Sequence, residues 1–227
     1  MTLTDDDSPP QTIPYHLAER LRKLIIRGRF LPGANLRELD IAAQFRSSRG
    51  PVREALRVLE QQGLVEHSPR RGFRVKAHSD SDLRNIYQLR GQLEGMAVES
   101  LRDRDVQPLV KELRASNERM KAHAKIGALD AYFEENLRFH QTIVDYTGNT
   151  PLIRMLSLLS DMALPVRYFL ISRKFPKGND YAYHNEITRL IERRQFEDAK
   201  ALTVNHILAN LEPASSAYLE ISAVEKL

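Results

Sequence analysis

Residues 47–54, Ser-Ser-Arg-Gly-Pro-Val-Arg-Glu, constrain this chain more than any other stretch. Arg49 and Arg53 stand four apart at the start of a strongly helical run, which predicts a helix from about Arg49 to Gln62, closed by Gly63. That spacing places both guanidiniums on one face, one turn apart. Pro51 suits a first turn, where its missing N–H costs nothing, and Ser47 or Ser48 can cap. Paired arginines at the positive end of a helix dipole are suited to an anion, above all nucleic-acid phosphate and base edges. The plainer alternative is a surface helix with solvated charges.

The flanking residues favour the first reading. Pro14 to Gly28 predicts a helix with Leu17, Leu21, Leu24 and Ile25 on one stripe. A short helix follows from about Arg37 to Phe45, with Leu39, Ile41 and Ala42 expected inward. In the third, Val52, Leu56 and Leu59 face in. Helix, turn, helix at this length is a DNA-reading pattern. Leu64–Glu66 and Phe73–Val75 are strand-like and flank His67–Gly72, which predicts a small β-hairpin wing. Arg70 and Arg71 sit at its tip, placed for phosphates or a minor groove. Residues 14–78 hold fourteen Lys and Arg against six Asp and Glu, whereas residues 79–227 hold twenty against twenty-one. A basic third on a near-neutral remainder suggests a nucleic-acid module joined to something else.

The remainder predicts helices only. The fold class expected is mainly α: an N-terminal winged helix-turn-helix over residues 14–78, then an antiparallel six-helix bundle over 79–227. Residues 1–13, with three aspartates, Pro9 and Pro10, predict a disordered arm. The six helices are expected over 79–103, 106–124, 129–146, 150–174, 180–194 and 196–211, with Pro165 kinking or splitting the fourth. The tail from Glu212 either extends the last helix past Pro213 or frays. No apolar run reaches about 18 residues, so no membrane span is expected. The acidic N-terminus is unlike a signal peptide, and the absence of cysteine suits a reducing cytoplasm.

Four side chains of the helical part converge in register. Asn136 and His140 are four apart and share a face. His184 lies ten residues before the turn expected at Arg194, and His206 twelve after it. At about 1.5 Å per residue, antiparallel packing brings both to one level. Three imidazoles and an amide carbonyl at one level can hold a divalent metal; separate histidines in unrelated niches are the alternative. Arg90 continues the apolar stripe Leu83, Ile86, Leu93, Ala97, so it faces the core and needs an anionic partner. Glu94, one turn on, and a ligand carboxylate both qualify.

The stretch LRELDIAAQFRSSRGPVREALRVLEQQGLVEHSPRRGFRV resembles the winged helix of the GntR family of bacterial transcription regulators. The resemblance puts Ser48, Arg49, Gly50, Arg53 and Gly72 on DNA-contacting positions; Arg37, Pro51, Arg70 and Arg71 complete the expected surface. Leu39, Arg46 and Ser47 depart from the family's more usual Arg, Gly and Val. The helical part resembles the FCD domains of the FadR-like branch, which carry Asp-x-x-x-His, a second His, and a third about twenty-two residues on. Here the aspartate is Asn136, and His184 and His206 keep the spacing. The resemblance implies a metal at Asn136, His140, His184 and His206, zinc first, with nickel or manganese as alternatives. It also implies a carboxylate effector at Arg90, Glu94 and Asn136. A dimeric, cytoplasmic, non-enzymatic repressor on a palindromic operator is therefore expected. A metal-dependent hydrolase and a non-sensing architectural DNA binder stay open as alternatives.

Overall fold

The computed structural model describes residues 12–175 and 180–224. The arm expected over 1–13 lies outside them except for its last two residues, and the first helix already begins at Ile13. The chain divides into two compact units, 1–77 and 78–227.

The first unit is built on α1 (Ile13–Ile26), α2 (Glu38–Phe45) and α3 (Arg49–Gln61), with β1 (Asn35–Leu36), β2 (Val65–Ser68) and β3 (Gly72–Val75). Leu17, Leu21 and Ile25 of α1 meet Val52, Leu56 and Leu59 of α3, all buried, and Phe73 and Val75 close the core from the sheet. β2 and β3 pair antiparallel with Ser68 opposite Gly72 and Val65 opposite Val75, forming the expected wing. The sheet has a third strand, in the order β1-β3-β2. β1 is two residues long, too short for any alternation to show in sequence.

Leu39, expected inward, is instead 64% exposed. Over two turns the inward face of α2 is set by Ile41 and Ala42, and Leu39 lies two residues, roughly 200° of helix rotation, from Ile41. Arg46, where the family more often has Gly, ends α2 in the left-handed region at φ 51°. That conformation favours glycine and costs an arginine about 1 kcal/mol.

In the second unit Ser79 caps α4 (Asp80–Glu99) in a reciprocal capping box with Asp82. There follow α5 (Gln107–Lys125), α6 (Leu129–Tyr146), α7 (Thr150–Lys174), α8 (Asp180–Glu192) and α9 (Phe196–Ala209). Pro165 sits inside α7 without splitting it. The tail is a seventh helix, α10 (Leu211–Val224), with Pro213 in the first turn where its ring is tolerated. α10 packs on α4 and α7 through Ala214, Ala217 and Tyr218. α7 is long and apolar enough to cross a membrane by composition, but more than half of its most apolar window is buried in the bundle. It is the bundle's core helix, because α4, α6 and α10 all pack on it.

Candidate functional site

Two sites emerge, one in each unit. On the first, Ser48 is the N-cap of α3, and its side chain makes no capping hydrogen bond. Arg49 and Arg53 project from the first turns of α3, and both reach Glu38 at the start of α2. Arg53 donates from Nε and Nη2 to the two carboxylate oxygens at 2.9 and 3.1 Å, and Arg49 from Nη2 at 3.4 Å. The Arg53 hydrogen bond, foremost, holds the Glu38 carboxyl below its ordinary range. Glu38 is thus a clamp that orients both guanidiniums before any ligand arrives.

A groove of about 760 Å³ between wing and helices brings Arg37, Arg49, Arg71 and Gly72 together, with Arg74 added. Ser48 and Pro51 line a second groove, of about 410 Å³, beside Arg20 and Arg46. Arg70 is exposed at the wing tip, at φ 68°. A side chain at Gly50 would meet nothing within 4 Å, so nothing within the folded chain demands glycine there.

On the second unit, α4, α6, α7, α8 and α9 converge on a buried polar cluster. His140 (α6), His184 (α8) and His206 (α9) are all buried, with ring centroids 5.0 to 5.7 Å apart. One ring nitrogen from each lies within 4.8 Å of the others. His184 is 0% exposed, it stacks on Phe139, and neither of its ring nitrogens has a hydrogen-bond partner. Two orphaned buried nitrogens beside two further imidazoles make a donor set that fits a divalent metal. Burial keeps all three rings uncharged: His140 is pushed below its ordinary value, His184 well below, and His206 to about 3. They need shed no proton to bind a metal.

Arg90 faces the core as expected, 2% exposed, and Nη2 donates to Glu94 Oε1 at 2.7 Å. The other oxygen of Glu94 lies 2.8 Å from His140 Nδ1. Burial alone would raise this carboxyl; the hydrogen bond at His140 Nδ1 and the Arg90 charge overcome that and hold it below the ordinary range. Sequence reasoning missed Arg167 of α7. It is 7% exposed, and its Nη2 donates to Asn136 Oδ1 at 2.9 Å. Burial first, then the Arg90 charge, lowers it to about 9. Asn136, expected on the metal, therefore spends its amide oxygen on a guanidinium. Arg90, Asn136, His140, Arg167 and His206 share a cavity of about 30 Å³, closed on its apolar side by Leu170 and Ile207. The signal for Arg167 was its place in Ala163–Ile171, otherwise uncharged: a cation amid such residues needs a partner.

Residues 15–75 match the model for bacterial regulatory proteins of the gntR family, and residues 85–209 match the FCD domain. The chain belongs to the GntR family. A probable D-xylose utilization operon transcriptional repressor of Paenarthrobacter nicotinovorans is 30% identical to this GntR regulator, covering 88% of this chain and 89% of the relative. The gluconate operon transcriptional repressor of Bacillus subtilis is 36% identical over 56% of this chain and 52% of its own length. In fold, E. coli McbR/YncC superposes with a TM-score of 0.78 at 20% identity, covering 91% of this chain and 99% of the other. The protein is a DNA-binding transcription regulator and not an enzyme, which removes the hydrolase alternative.

Close packing of α4 on α9 carries His206 to the cluster of this GntR regulator. Gly91 faces Leu208 and Val204, and a methyl group at Gly95 would stand 2.8 Å from Val204 Cγ2. Gly95→Val is therefore expected to overpack that contact and destabilise the protein by about 2 kcal/mol. Urea unfolding measures this, and an unchanged midpoint would mean that α9 yields at no cost.

Proposed function

We propose that this regulator represses transcription as a homodimer on a palindromic operator, and that its helical unit senses a small carboxylate beside a divalent metal. One recognition helix reads too few bases for genomic specificity, which favours two heads on a symmetric site. Arg49, Gly50 and Arg53 carry base and backbone contact on α3, with Ser48 and Pro51 at its start. Arg37, Arg70, Arg71 and Gly72 supply phosphate and wing contacts. Gly50, free of internal demand, suits a close backbone approach.

The observation that carries the sensing half is the charge around the cavity. Arg90 and Arg167 are buried there with Glu94 as the single carboxylate among the described residues, beside three uncharged imidazoles. Excess buried positive charge calls for an anion. His140, His184 and His206 would hold the metal, zinc first, with nickel and manganese as alternatives, and the metal would supply a Lewis-acidic point for an oxygen of the anion. Asn136 serves the site by holding Arg167. A relative named for gluconate makes carboxylates the first class to try. Occupancy would shift the balance between head arrangements. Acting on DNA, the protein works in the cytoplasm.

The test is a thermal-shift screen of organic and sugar acids with zinc, nickel or manganese, followed by operator binding with each hit. A ligand at a hundred times its Kd stabilises by about 2.7 kcal/mol, so a true effector raises the Tm visibly. Hits that leave operator affinity unchanged, or no hit in any metal, would overturn the sensing half.

A further inference from the structure

We propose that Arg167 makes metal binding in this cavity conditional on a compact dianion, so that metal and anion enter together. The inference rests on the metal-and-carboxylate reading above and goes beyond it by naming the residue that couples the two.

The charges in the cavity are unequally matched. Glu94 is committed twice, to Arg90 at 2.7 Å and to His140 at 2.8 Å. Arg167 pairs with no carboxylate among the described residues; its partner is the neutral amide oxygen of Asn136, at 2.9 Å. Both residues are buried, at 7% and 4% exposure. A buried guanidinium hydrogen-bonded to an amide, with Glu94 acting on it only at a distance, keeps its charge only partly compensated. A divalent cation on the three imidazoles adds like charge in a low-dielectric space, where repulsion is strong. An anion between Arg167 and the imidazoles relieves both costs at once.

Arg90, Arg167 and Glu94 leave one net positive charge beside uncharged histidines, and a divalent ion raises that to three. A monoanion leaves most of it, whereas a dianion removes two-thirds. The cavity of about 30 Å³ admits only the compact end of such a group. The ligand class is a small dicarboxylate or an inorganic oxyanion of the same charge. By linkage, whatever factor the anion adds to metal affinity, the metal adds to anion affinity.

The experiment is calorimetric titration of nickel into full-length, chelator-stripped protein, alone and with saturating malonate, inorganic phosphate or acetate. Wild type should bind nickel at least about tenfold more tightly with a dianion than without, a typical coupling between sites, and acetate should do less. Malonate acting and phosphate not would identify a carboxylate site, and the reverse an oxyanion site. Arg167→Gln removes the charge and should tighten nickel binding in anion-free buffer, leaving the dianion less than about twofold effect. Arg167→Lys should keep the dependence. Arg167→Met, which also removes the charge, should abolish it too, and serves if Arg167→Gln does not fold. Nickel affinity that ignores both dianions in wild type, or that neither neutralising variant raises, overturns the proposal. Absence of nickel, zinc and manganese binding in every protein and buffer instead removes the metal reading itself.

Discussion

Alanine at both Arg49 and Arg53 is expected to weaken operator binding by about a hundredfold or more, with the fold intact. Each arginine that reads a base or phosphate is worth about 1–3 kcal/mol. Both side chains are exposed, at 60% and 57%, so their removal leaves the core of Val52, Leu56 and Leu59 untouched. The salt dependence should flatten as well, by about one unit of log–log slope for each phosphate no longer neutralised. Glu38 sharpens the prediction. It holds both arginines in the free protein, so DNA engaging them would have to share or displace its carboxylate. Glu38→Gln should therefore raise affinity for unrelated DNA while narrowing the gap between operator and non-operator. Gel-shift titrations across salt concentrations measure both. A double variant within threefold of wild type would remove α3 from the interface.

The surface that carries Arg49 and Arg53 is legible in the sequence because it depends on local spacing. Arg49, Pro51 and Arg53 lie within five residues of one another, and the helix they begin has a clear apolar stripe. The wing is legible through Gly72 and the alternation of Phe73 and Val75. Leu39 defeats the pattern because two turns of helix carry too few residues to fix which face is inward. β1 escapes it because pairing with β3 is a long-range choice, Leu36 opposite Phe73, that no pattern within two residues can announce.

In the helical unit the same distinction holds. His184 and His206 are legible because antiparallel helices of regular rise convert sequence offset into height. Arg90 is legible because it interrupts a stripe. Arg167 is legible only as the lone charge of Ala163–Ile171, and helical spacing cannot aim it, because α7 is buried over most of that stretch and has no polar face to set its direction. Spacing to His140 points Asn136 at the histidine cluster, and spacing cannot tell that a guanidinium from another helix reaches its oxygen first. α10 is ambiguous in sequence because Pro213 reads equally as a break or as a first turn.

Acidification is expected to destabilise the metal-free protein well above the pH at which carboxylates titrate, and the histidine cluster is the cause. Burial holds His206 at about 3 in the folded state, against about 6.5 in an unfolded chain. Below pH 6.5 the unfolded chain takes up a proton that the folded one refuses. The stability contribution is complete above about 6.5 and is lost as the pH falls toward 3. For His206 alone, that is about 2 kcal/mol lost by pH 5. His140 and His184 are depressed by burial too and add to the loss. Against a typical net stability of about 5–15 kcal/mol this is large. His206→Gln removes one of these titrating rings, so its urea midpoint, followed by far-UV circular dichroism on stripped protein, should fall less steeply between pH 7.5 and 5. A bound divalent cation should raise the wild-type curve without flattening it, because the folded rings are already unprotonated over that range and only the unfolded chain takes up protons. Parallel wild-type and His206→Gln curves over that range would mean that the rings titrate as solvated histidines, and the buried cluster could not then be the acid-sensitive element.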